Sequence, residues 1–68
     1  MNVELNGDTV TLPDGASVGE AIEASGVAAE QRGVAVAVDA EVVPRTHWER
    51  RELHEGERVE VLHAIQGG

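Results

Sequence analysis

The chain has 68 residues, enough for one domain and too few for two, and a domain of this size buries only about 60% of its unfolded surface. Hydrophobic residues make up 41%, but nine of them are alanine and there is no Phe or Tyr, so a substrate-enclosing pocket is hard to wall and a carrier or binding partner fits better than an enzyme. Absence of cysteine removes disulfides, thiolate metal sites and thiol nucleophiles, and a net charge of −8 argues against nucleic acid or anionic lipid as a partner.

From Met1 to Leu12 apolar residues alternate with polar ones, with Val3, Leu5, Val10 and Leu12 on one side and Gly7-Asp8 between the two runs, which predicts a hairpin with one buried face. Pro13-Asp14-Gly15 turns the chain. Ser17-x-x-Glu20 has the form of a capping box, and Val18, Ala21, Ile22 and Ser25 share a helical stripe that ends before Gly26, so a short helix is expected over roughly Val18 to Ser25. Val34 to Val38 puts three valines on one face and two alanines on the other, the pattern of a central strand with a flat outer face. Val42 and Val43 predict a short edge strand stopped by Pro44. Thr46 to Arg51 suits one helical turn carrying Trp48, Glu55-Gly56-Glu57 is a turn, and Arg58 to Ile65 alternates as a last strand.

Eleven valines, whose branched Cβ suits a pleated sheet, support the same reading. A hairpin, a helix and further strands pack most simply as a mixed sheet of four to five strands covered on one side by the helix. This is an α+β roll of the β-grasp type, with one domain over residues 1–65 and a flexible tail over 66–68.

The tail holds the most informative feature, the pair Gly67-Gly68 directly after an apolar strand. Glycine has no Cβ, so it can thread a narrow groove and leave its carboxyl carbon open to attack. A frayed end would also account for two glycines. With thiols absent, the group left for covalent acyl chemistry is the C-terminal carboxylate, inert until activated. Conversion to an acyl adenylate supplies a leaving group, and a persulfide sulfur that displaces AMP leads to a thiocarboxylate. The chain has no Gly-rich phosphate loop, so it is expected to bind no cofactor itself, the ATP and Mg being used by an activating partner.

The whole chain resembles the ThiS-type sulfur carriers of thiamin biosynthesis, which are ubiquitin-like. The resemblance rests on Asn6-Gly7, Val34 to Val38, the segment Val42-Val43-Pro44-Arg45-Thr46-x-Trp48, the run Glu55-Gly56-Glu57-Arg58-Val59 and the terminal Gln66-Gly67-Gly68. It implies adenylation by a ThiF-like adenylyltransferase, sulfur from a donor such as a cysteine desulfurase, and delivery to thiazole synthase. Carried onto this sequence, Gly68 is the site of adenylation and thiocarboxylate formation and Gly67 its flexible neighbour. Two rivals share the Gly-Gly end: the small subunit of molybdopterin synthase, usually longer and richer in Phe, and a ubiquitin-like protein modifier. A non-covalent interaction module is a third.

With the valine face under the helix, Ala35, Ala37, Leu62 and Ala64 fall on the outer face of the sheet, rimmed by Glu60 and Arg58. Small side chains beside one larger apolar anchor suit a docking surface for the activating enzyme and the synthase, although scattered apolar groups are ordinary on any surface. Trp48 reads as a packing anchor in preference to a stacking platform. Glu49-Arg50-Arg51-Glu52 reads as a solvated charge run, and His47, His54 and His63 lack metal-ligand spacing. All five cations are Arg, so the α-amino group of Met1 is the only primary amine and the chain is a poor isopeptide acceptor. The acidic charge fits either steering toward a basic partner or solubility in a salty cytoplasm. No apolar stretch reaches membrane-spanning length and no basic start precedes an apolar run, so a cytoplasmic protein is expected. When free it is expected to be monomeric, because pairing through the outer sheet would hide the docking face.

Overall fold

The computed structural model describes residues 1–28 and 32–63. β1 (Asn2–Leu5) and β2 (Asp8–Thr11) form an antiparallel hairpin in the register Asn2↔Thr11 to Leu5↔Asp8. Its two-residue turn is Asn6-Gly7, with φ of 50° and 89°, the left-handed pair that Asn-Gly adopts at least cost. The turn therefore sits one residue before the expected Gly7-Asp8, and Asp8 is the first paired residue of β2.

Helix α1 (Val18–Ala24) starts where the sequence places a cap: the Ser17 hydroxyl accepts the Glu20 N–H at 3.3 Å. Ser25 closes the helix and Gly26 follows at φ 89°. Seven residues are too few for a helix to persist alone, so packing holds it. Val18, Ala21 and Ile22 are fully buried. Two of the otherwise orphaned N–H groups at its start, those of Val18 and Gly19, donate to the carbonyls of Arg51 and Trp48, both at 2.9 Å.

β3 (Val34–Val38) and β4 (Glu41–Val42) make a second hairpin around Asp39 and Ala40. Pro44 leads into a 3₁₀ turn over Arg45–His47 that begins one residue before the expected helical turn, and Trp48 follows as its cap. β5 (Arg58–His63) completes a five-stranded sheet in the order β2-β1-β5-β3-β4. β5 lies parallel to β1 and antiparallel to β3, so β3 is an interior strand as expected, while the middle position belongs to β5.

The core fills the space between helix and sheet. Val3 and Leu5 from β1, the three valines of β3, and Val59 and Val61 from β5 meet Val18, Ala21 and Ile22, while Leu12, Val43, Trp48 and Leu53 close the sides. No helix among the described residues is long and apolar enough to cross a membrane.

Candidate functional site

The side of the sheet away from the helix is set by strand register. Since side chains alternate along each strand, the pairs Ala35↔Leu62 and Ala37↔Glu60 put all four side chains on the outer face, opposite the buried valines. Leu62 is 64% exposed there. The pair Ala37↔Val42 adds Val42 from β4, 72% exposed, and these two are the large exposed apolar side chains of the described residues. Val42 is an addition to the patch expected from strand parity; its signal in the sequence is that a two-residue turn at Asp39-Ala40 pairs residue 37 with residue 42.

Toward β1 the face becomes polar. Arg58 Nε meets Glu4 Oε2 at 2.7 Å, and both side chains are well exposed. A hollow of about 420 Å³ lies beside this pair, lined by Glu4, Asn6, Gly7, Arg58, Glu60 and Leu62. One half of the outer face is thus apolar, over β5, β3 and β4, and the half over β1 and the start of β5 is charged.

A second cleft, of about 310 Å³, lies between β4 and the 3₁₀ turn, with Val42, Val43, Pro44, His47 and Arg51 among its lining. Arg51 Nη2 holds Glu57 Oε2 at 3.0 Å, and Arg51 also donates to the Glu52 carbonyl. The Glu57 side chain is only 15% exposed. Burial pushes its carboxyl upward, but the hydrogen bond and charge of Arg51 and the backbone N–H of His54 outweigh that and hold it below the usual carboxylate range. Hydrogen bonding to Glu57 correspondingly raises Arg51. The charge run Glu49 to Glu52 is therefore not wholly solvated: Arg51 ties the segment before β5 together.

Trp48 is 4% exposed, its indole N–H donates to the Val43 carbonyl at 2.9 Å, and Arg45 lies 4.5 Å from the ring centroid. It is a packing anchor, as its isolation in an irregular segment predicts. Among the described residues no group of three or more His, Cys, Asp or Glu is arranged to hold a metal ion.

The described part of β5 ends at His63, opposite Val34. The expected docking residue Ala64, the expected tail over 66–68 and, within it, the pair Gly67 and Gly68 expected to react lie outside the described residues. Five residues follow His63 in the sequence, a length that covalent geometry limits to about 18 Å.

A mixed five-stranded sheet in this order, with one helix across one face and an apolar patch on the other, defines a ubiquitin-like β-grasp domain. The model of the ThiS family matches residues 2–68, and the chain belongs to that family. It is similar to the crystal structure of the thiamine biosynthesis protein ThiS from Geobacter metallireducens, with a TM-score of 0.78 and 30% identity over 100% of both chains. It is also similar to the NMR solution structure of a thiamine biosynthesis protein from the same organism, with a TM-score of 0.78 and 34% identity over 100% of this chain and 88% of that one. No curated protein matches the sequence.

Proposed function

We propose that the chain is a sulfur carrier for thiamin biosynthesis and that the carboxylate of Gly68 is the group that reacts. The observation that carries this reading is the family match from residue 2 to residue 68, which runs through Gly67 and Gly68. Full-length similarity to a protein described as thiamine biosynthesis protein ThiS supports the pathway. A ThiS-family chain acts as a small carrier, the substrate of another enzyme.

In this reading a carboxylate oxygen of Gly68 attacks the α-phosphorus of ATP in the site of a ThiF-like adenylyltransferase and expels pyrophosphate. A persulfide sulfur from the donor, such as a cysteine desulfurase route, then displaces AMP. Cleavage of the resulting acyl disulfide by a partner thiol frees the thiocarboxylate, which gives its sulfur to thiazole synthase. Gly67 lets the end follow a narrow groove because it has no Cβ. The cationic groups and Mg that stabilise charge on the phosphates belong to the activating enzyme. Leu62, Ala35 and Ala37, with Ala64 following in sequence, form the apolar seat for that enzyme and for the synthase, and Glu60 offers a carboxylate to a basic partner. This chemistry is placed in the cytoplasm, with the free carrier monomeric.

Truncation after Gln66 tests the reading. The truncation removes two glycines, which have no side chain to bury, and leaves every described core residue in place, so the shortened chain keeps the parent's urea midpoint while ATP–pyrophosphate exchange by the adenylyltransferase disappears. Exchange at the parental rate in the truncated chain contradicts the assignment.

A further inference from the structure

Side chains from the two hairpin turns grip β5 at two points. Near its start, Asp39, at φ 49°, donates its N–H to the Arg58 carbonyl at 2.8 Å and accepts the Arg58 N–H on Oδ1 at 2.9 Å. Farther along, Asn6, at φ 50°, donates its N–H to the Val59 carbonyl at 2.9 Å and accepts the Val61 N–H on Oδ1 at 2.8 Å. The second grip does something the first does not. Pairing between β1 and β5 covers only Glu4↔Arg58 and Leu5↔Val59, after which the chain turns away into β2. The Val61 N–H therefore faces the β1 side where β1 has no further backbone to offer, and the Asn6 amide oxygen stands in for the missing strand carbonyl. Turn chemistry explains an Asn or Gly at position 6. It does not explain a side chain that reaches a backbone group 55 positions away.

We propose that Asn6 is a positioning residue for the chemistry of the C-terminus: by supplying the last rung on the β1 side of β5 among the described residues, it fixes the stretch of strand from which the proposed reacting residues continue. This inference rests on the sulfur-carrier reading above. Val61 is two residues from His63, the last described residue, and next to the exposed anchor Leu62. Without the rung, β5 still pairs with β3 through Ala35↔Leu62 and Val34↔His63, but its other edge is released at Val61. The strand end then samples more orientations, and a smaller share of them brings the carboxylate to the nucleotide. Leu62 keeps its pairing with Ala35 on the β3 side, so the proposed apolar seat of Leu62, Ala35 and Ala37, of which Asn6 is not part, stays in place. The effect therefore falls on kcat and spares KM, a split that a loss of docking would reverse.

Three variants separate this role from general loosening. Asn6→Gly keeps the left-handed turn and removes the acceptor, Asn6→Asp keeps both, and Asp39→Gly removes the equivalent side-chain bond at the start of the same strand. ATP–pyrophosphate exchange is measured with the adenylyltransferase at varied carrier concentration, and amide exchange at Val61 is read by NMR on the free carrier. For Asn6→Gly, kcat drops about fivefold and Val61 exchange accelerates at least about fivefold, the loss expected for one hydrogen bond, while KM stays within about twofold. Asn6→Asp restores kcat, and Asp39→Gly keeps the parental value. The proposal is overturned by parental kcat in Asn6→Gly, by an equal drop in Asp39→Gly, or by unaltered Val61 exchange. A parent chain that supports no exchange at all overturns the sulfur-carrier reading itself, and this inference with it.

Discussion

Trp48 is the only aromatic residue in the protein, and it joins two pieces of the fold through one side chain. Its ring is part of the core that also holds Val43 and Leu53, and its indole N–H satisfies the Val43 carbonyl just before Pro44. Its own carbonyl accepts the Gly19 N–H at the start of α1. Trp48→Phe keeps most of the apolar body but leaves that buried carbonyl without its donor and opens a small void. It should cost about 2 kcal/mol, read as a lowered urea midpoint with an unchanged slope. A midpoint equal to the parent's contradicts the role given to the indole. At this scale the sequence was informative where one residue has one clear job: a lone Trp in an irregular segment had to be an anchor, and Ser17 and Gly26 marked the ends of a helix. It was silent on Asn6 and Asp39, because their side chains bond to β5 residues distant in sequence and composition carries no trace of that pairing.

Among the elements, the segment between β4 and β5 has little regular structure of its own and is fixed by polar contacts. Arg51 grips Glu57, the His54 N–H donates to the same carboxylate at 2.6 Å, and Leu53 N–H donates to the Ala16 carbonyl at 2.8 Å. Glu57 titrates below its ordinary value of 4.5 in the fold, so its contribution to stability is fully present above that value and is lost as pH falls through the lower, folded one. Urea midpoints measured from pH 6 down to about pH 2.5 should fall in the parent and fall less steeply in Glu57→Gln, which has no carboxylate there to protonate. Parallel profiles would show that the pair adds nothing. Sheet elements were read from alternation, which works for Val34 to Val38 because burial on one face imposes a period of two. Strand order is a long-range property, which is why β5 could be read as a strand but not as the middle of the sheet. The outer patch was read by the same parity, and Val42 escaped it because a two-residue strand is too short to show a period.

At the scale of the whole molecule, a valine-built body with one apolar half-face leads through β5 to the C-terminal residues. The core residues among those described run from Val3 to Val61, and the proposed reacting carboxylate is five residues beyond His63. The net charge of −8 suits either steering toward a basic partner or solubility in a salty cytoplasm, and Glu60 shares the outer face with Leu62 at the proposed docking patch. The claim on which this account turns is that another enzyme installs sulfur at the carboxyl carbon of Gly68. Intact-mass analysis of the carrier, after incubation with ATP, the adenylyltransferase and a sulfide source, tests it most directly. The account predicts a species about 16 Da heavier, the replacement of one carboxyl oxygen by sulfur, localised to the last residue by fragmentation. An unchanged mass under conditions where the enzyme consumes ATP on a known carrier would contradict it.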